Sequence, residues 1–321
     1  MNVLLFIKRF VHKFSSSIWV AEYSSHDYKL IGVRALEVLS FIGQRGPRWF
    51  RFFGIVMLGA LVSFSQSYSE PIQCNMCDLR YKSYAEQNLA NSDFKGSYFF
   101  NANFERAILT QTDFSSTNLV LAKFKRADLS ETNFRKADLT EADLYAATLR
   151  GTNMTFARLA GANLSAAEMT HGDFTAANFE GAQMRHVFAN NAIIRSAQMK
   201  RVNLTEANLR QANFEGADLF AAILVNADMT MAHFSKVDLR GADLSGANLS
   251  FADFSEADLS NAKLIGAKVH GTNLKHTKFV GADLTDAKIS SVLRFHTDFC
   301  DATLPNGTIG KCKAGEDTEK K

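Results

Sequence analysis

The chain has 321 residues, 46% apolar and 21% charged, and its three prolines all lie outside residues 72–304. Its 36 basic and 33 acidic residues give a net charge of +3, split as +4 over residues 1–70 and −2 over residues 89–304. That near-balance argues against a basic nucleic-acid binder, and four cysteines are too few for a disulfide-built miniprotein.

Residues 1–69 read as an address rather than as part of a fold. Phe52 to Phe64 is an unbroken apolar run, preceded by Arg45, Arg48 and Arg51 and followed by Ser65-Gln66-Ser67-Tyr68-Ser69. Basic, apolar and then small residues is the layout of a secretory signal, here spanning about residues 45–69. The run is shorter than the roughly 20 residues that cross a bilayer. A cleaved signal, an uncleaved membrane anchor and a buried capping helix all stay open. Residues 1–44 are unusually long for such a leader. They include Leu4-Leu5-Phe6-Ile7 beside Lys8, Arg9 and Lys13, an interfacial amphipathic pattern. Either membrane-directed reading carries the rest of the chain to the non-cytoplasmic side, as periplasmic, secreted, lumenal or membrane-anchored protein. Residues 70–88, with the Cys74-x-x-Cys77 motif, form an N-terminal cap.

From Leu89 to Leu304 every fifth residue, 44 positions in one frame, is Leu, Phe, Met, Ile or Val, except Ala189 and Arg294. From Ser92 onward the residue two places before each is small, and between the two usually stands Asp or Asn, as in Ala127-Asp128-Leu129. A period of five suits neither regular element. On a helix the large residues would spiral around the axis, and on a straight strand they would alternate faces. The pattern works only if the chain turns every five residues, so that each large side chain again points inward and small ones fill the inner corners. Asp and Asn suit such turns because they bond nearby amides. In the column that starts at Phe94 and steps by twenty, seven of eleven residues are phenylalanine: Phe94, Phe114, Phe134, Phe174, Phe214, Phe234 and Phe254. Four turns therefore close one coil. About 11 coils at strand spacing span roughly 50 Å, with those rings in one core stack. The prediction is an all-β solenoid over residues 89–304, ending in a polar tail, 305–321.

Segments such as Ala217-Asp218-Leu219, Ala242-Asp243-Leu244 and Ala247-Asn248-Leu249 resemble the pentapeptide-repeat family, whose pattern is A-(D/N)-L-x-x. The resemblance covers about two-thirds of the chain. It implies a right-handed quadrilateral β-helix with a side-chain-filled interior, and it supplies no single shared activity. Some members resemble a DNA duplex in shape and charge and bind type II topoisomerases, protecting them from quinolones.

Local chemistry is sparse. The cysteine pairs Cys74/Cys77 and Cys300/Cys312 stand at opposite ends of the rod, too far apart for one zinc site. Each pair is left as a structural disulfide, as free thiols, or as a metal or redox site. His276 and His296, twenty residues apart, should stack on adjacent coils as a solvated ladder. Around Ala189 the large slot is vacant while Phe188 and Ile193 occupy polar positions. A bulge that swings Phe188 inward accounts for this, or a kinked coil offering an apolar contact. Arg294 sits at an inward position, where an unpaired charge is prohibitive, so the coil there should loosen. Tyr98, Phe100, Val120 and Leu121 form an outward apolar group on the early coils. The preceding cap covers it, or it is a docking patch. No Ser/His/Asp group, phosphate loop or carboxylate pair rises above the repeat, so neither catalysis nor a cofactor is expected. The leading expectation is a non-catalytic interaction scaffold, exported or membrane-tethered, with a protein partner or a homodimer through a solenoid end and no nucleic acid. The alternative is the topoisomerase-binding DNA mimic, and more remotely a metal or redox protein using the cysteines.

Overall fold

The computed structural model of the protein describes residues 71–312. The segment read above as a targeting sequence, within residues 1–69, and the end of the tail, 313–321, lie outside them. The described residues form a four-sided parallel β-helix in which each coil takes twenty residues. Parallel pairing links every residue of the ladder to the one twenty positions on, from Gln73↔Asp93 and Asp78↔Tyr98 through to Asp283↔Thr303. Among the described residues only two segments are long enough to count as strands, β1 (Lys268–His270) and β2 (Lys288–Ser290), paired Lys268↔Lys288, Val269↔Ile289 and His270↔Ser290. Elsewhere each side of a coil contributes a single paired residue before the chain turns.

The five-residue unit follows from its backbone. The turn starts at the large residue, whose carbonyl accepts from the amide three places on, as in Ala102 N to Phe99 O at 2.9 Å. The third residue of each turn has positive φ, as Asn101 (53°), Arg126 (58°) and Gly241 (68°) do, which is the type II arrangement. Between coils the bonds are those of a parallel ladder: Phe94 N donates to Asp113 O at 2.8 Å and Asp113 N to Ser92 O at 2.9 Å. The Asp or Asn before the large residue accepts from the amide two places on, as in Lys95 N to Asp93 Oδ1 at 3.0 Å and Glu215 N to Asn213 Oδ1 at 2.9 Å. One short polar side chain thus holds each corner where Asp or Asn stands.

The bore is dry and filled. Phe94, Phe114, Phe134, Phe174, Phe214, Phe234 and Phe254 are all buried. Neighbouring coils stack their rings, with Phe94–Phe114 at 5.4 Å, Phe114–Phe134 at 5.3 Å and Phe214–Phe234 at 4.6 Å. A second stack, Tyr84–Phe104–Phe124, runs beside it at 5.2 and 4.9 Å, and the two meet edge to face at Phe104–Phe114. At the inner corners alanine predominates. Where threonine stands instead, its hydroxyl donates to a main-chain carbonyl, of the coil before in Thr112 to Leu89 O (3.0 Å) and Thr277 to Phe254 O (2.8 Å), and of its own turn in Thr152 to Leu149 O (2.7 Å). A buried hydroxyl there leaves nothing unpaired.

Residues 71–88 make the same turns and join the same ladder, so the cap is itself a coil. Cys74, Leu79 and Tyr84 occupy its inward positions and pack against the core. At the other end the chain doubles back. Thr303 pairs antiparallel with Ile309, and Gly307 supplies the left-handed turn residue (φ 79°). The return is closed by Gly310 N to Ala302 O at 2.7 Å and Leu304 N to Thr308 O at 2.8 Å.

Two expected irregularities are absent. The coil at Ala189 does not bulge. Phe188 keeps its ladder partners Glu168 and Asn208 and is 51% exposed, while Ala189 is fully buried in the large slot. Hydrogen bonds from the coils on both sides hold the register more firmly than one missing plug can disturb it. Three inward residues nearby are methionines, Met169, Met184 and Met199, all buried, and their flexible side chains suit an irregular interior. Nor does the coil loosen at Arg294. Leu274 N still bonds Leu293 O at 2.6 Å and the His296 turn keeps its positive φ. Arg294 is exposed, so no charge is buried there.

Candidate functional site

With a side-chain-filled interior, function falls to the outer faces and the two ends. Both ends carry disulfides. Cys74–Cys77 spans the first turn, with Cα atoms 5.7 Å apart, and Cys300–Cys312 ties the returning strand to the last coil, at 4.1 Å. The four cysteines are thereby all used. Asp301 lies with Cys300 and Cys312 in the one grouping of three metal-capable side chains found among the described residues, but both thiols are consumed by the bond between them.

The outward charges are arranged by the coil. Lys125–Asp143, Lys200–Asp218 and Arg210–Asp228 pair at 3.3–3.4 Å across eighteen residues, one coil less two. Arg195–Glu215 (3.0 Å) pairs across twenty. Arg240 instead grips Asp238 of its own coil, at 2.7 Å, and lies over the Phe220 ring at 5.8 Å. That guanidinium holds the Asp238 carboxyl below its ordinary range, as Arg80 does for Asp78. Partial burial works against ionisation of Asp228, yet its bonds from Thr230 and Arg210 prevail and its pKa is also lowered. Burial raises the Tyr84 phenol. These shifts fix charges in place, and none of them poises a proton donor near neutrality.

Adjacent coils also bring together side chains whose meeting was not read from the sequence. His270 Nδ1 lies 2.9 Å from Ser290 Oγ, with Phe251 edge-on at 5.1 Å, on an exposed face. His276 and His296 stack at 5.2 Å beside Phe295, an exposed ladder with no third ligand among the described groupings. An open hollow of about 450 Å³ lies where Ala146 and Ala166 leave a corner bare. Phe188, Glu168, Thr170 and Asn190 border it, and Asn190 Oδ1 is buried without a hydrogen-bond partner. The signal for it was two alanines twenty residues apart at a turn position.

The early apolar group is brought together. Tyr98 is 51% exposed and Leu121 38%, with Phe100 and Val120 half-buried beside them. Residues 71–88 do not cover it but extend it, because Tyr81 (67% exposed) packs edge-on against Phe100 at 5.5 Å. Phe188 and Ile193 are exposed on a different part of the solenoid, so the six residues make two separate sites.

The family model for pentapeptide repeats matches eight copies, over residues 85–115, 117–155, 157–195, 197–235, 232–271 and 252–290. No match was found among curated proteins. Among solved structures the chain is similar to HetL, a pentapeptide repeat protein involved in heterocyst differentiation regulation from the cyanobacterium Nostoc. They share 23% identity over 79% of this chain and 98% of that one, with a TM-score of 0.45. QnrB1, a plasmid-mediated fluoroquinolone resistance protein, is 22% identical over 64% and 91%, at 0.32. A pentapeptide repeat protein from the Arabidopsis thaliana thylakoid lumen is 33% identical over 37% and 68%, at 0.22. With eight copies matched and a twenty-residue coil carried by the same columns, the chain belongs to the pentapeptide-repeat family.

Proposed function

We propose that the protein is a non-catalytic interaction scaffold that works on the non-cytoplasmic side of a membrane, exported or tethered by its N-terminal segment. The observation that carries this reading is the pairing of all four cysteines at the two ends of the solenoid. Disulfides persist in oxidising compartments and are rare in a reducing cytosol. The basic–apolar–small order of residues 45–69 supports the same address. The shifted aspartates are held ionised by their neighbours, and the faces are flat and regular, which suits a docking platform better than a reaction centre. A homodimer through a solenoid end belongs to this reading, since an exposed terminal coil presents unpaired strand edges.

The competing reading is a topoisomerase-binding duplex mimic. The −2 balance of residues 89–304 opposes it, because a phosphate mimic presents strong negative charge, and so do the disulfides. Fractionation of cells, with N-terminal sequencing and a thiol count on the protein recovered, separates the two. The proposal expects a membrane or extracytoplasmic protein with no free thiol. A cytosolic chain that keeps Met1 and four free thiols overturns it and favours the duplex mimic.

A further inference from the structure

The side of the solenoid that bears Tyr98 and Phe100 is unlike itself along its length. Its outward positions on the second and third coils are Tyr98, Phe100, Asn101, Asn118, Val120 and Leu121, without a charge. From the fourth coil on, every rung of the same side carries at least one charged residue, beginning with Asp138 and Glu141 and ending with Asp298 and Asp301. Below, the first coil contributes Tyr81 and an Arg80 already neutralised by Asp78 at 2.6 Å. Met76, 80% exposed, lies beside Gly96 at the edge of the same area. The result is an apolar island of Met76, Tyr81, Tyr98, Phe100, Val120 and Leu121, confined to the first three coils.

We infer that this island is a lipid-contact surface, which seats the first coils of the solenoid at the headgroup level of the membrane that holds the apolar run Phe52–Phe64. The inference rests on the membrane-tethered form of the function proposed above. Three features select lipid over protein. Six residues, 65–70, separate Phe64 from Pro71, so a bilayer holding that run lies within about 25 Å of the first coil. Tyrosine, with an apolar ring and a polar tip, is the side chain enriched at membrane–water interfaces, and two of the island's three aromatic residues are tyrosines. The island has six residues, whereas a stable protein–protein contact takes roughly 20–30 on each side. A thirteen-residue apolar run falls short of a bilayer span, and a second weak contact is what turns marginal attachment into stable attachment.

The test uses the full chain with Trp19 and Trp49 replaced by Phe and a single reporter introduced as Tyr98→Trp. It is mixed with phosphatidylcholine–phosphatidylglycerol vesicles whose acyl chains are brominated. The reporter should lose most of its emission, while a Phe220→Trp reporter on the same side, six coils further on, should not. Replacing Tyr81, Phe100 and Leu121 by Ser in the Tyr98→Trp chain should restore the emission at least threefold at equal bound protein. A chain that floats with the vesicles while the Tyr98→Trp reporter stays bright overturns the lipid contact and leaves the tether standing. A chain that does not float at all overturns both.

Discussion

Phe114 is sandwiched between Phe94 and Phe134 with near-parallel rings and is fully buried. Removing it takes away the contacts of both neighbours, and coils pinned by the ladder cannot close over the space. Phe114→Ala should therefore cost about 3–5 kcal/mol, read from urea denaturation of the oxidised protein. Glu215→Gln removes only an exposed ion pair with Arg195 and should cost no more than about 0.5 kcal/mol. Similar costs for the two would refute a core-dominated solenoid. Asp238 makes a pH prediction at the same scale. Its folded pKa lies below its unfolded one because Arg240 bonds the charged form. The stabilisation is complete above the ordinary carboxylate value of about 4 and disappears as the pH falls through the lower folded value. Thermal midpoints should drop below about pH 4, and Asp238→Asn should make that drop shallower without changing its direction.

The five-residue turn is the unit in which this fold is written, and its strain can be isolated. Gly241 adopts φ 68° with open space where a Cβ would lie. Gly241→Val thus adds left-handed strain without a clash, and should cost on the order of 1–2 kcal/mol by urea denaturation. An unchanged midpoint would mean that the turn relaxes. The same unit explains what could be read in advance. Every fifth residue is large because every turn faces the bore, so both the solenoid and the twenty-residue coil are legible from Phe94, Phe114 and their column. The first coil is obscured because Lys82 and Gln87 stand in slots that are small elsewhere. These positions are exposed on the terminal coil, so nothing limits their size. Ala189 misled for the opposite reason: a local composition break suggested a local backbone break, but register is set by the rungs before and after. Outward partners were harder to anticipate. His270 and Ser290, or Lys200 and Asp218, meet through a coil length that is visible, with side-chain directions that the repeat pattern leaves unspecified. Of the candidate surface, the core of the early patch was readable. Its extension by Tyr81 was not, since that residue lies before the first clear repeat.

For the solenoid as a whole, stability is a sum of nearest-neighbour terms, because each coil touches only the coils before and after it. Amide-exchange protection should be greatest near residues 180–220 and decline towards both ends, without the sharp single threshold of a globule. Mild reduction should steepen the decline at residues 74–77 and 300–310 and leave the centre unchanged. Uniform loss of protection along the chain would argue for a globally cooperative unit. The C-terminal return is central here, because the strand at Ile309 covers an edge that would otherwise be free to pair.

The ladder also keeps strict time: from Gln73 to Thr303 no rung gains or loses a residue against its neighbour. Excising or duplicating a block of twenty in mid-chain would shorten or lengthen the protein by one storey and leave every later side chain on its own wall. Cutting five instead would rotate all that follows by a quarter-turn, moving phenylalanine columns beneath leucine columns and swapping the walls presented to any partner. Natural length variants should therefore differ by whole storeys, and any that differ by single pentapeptides should have lost whatever docks beyond the cut.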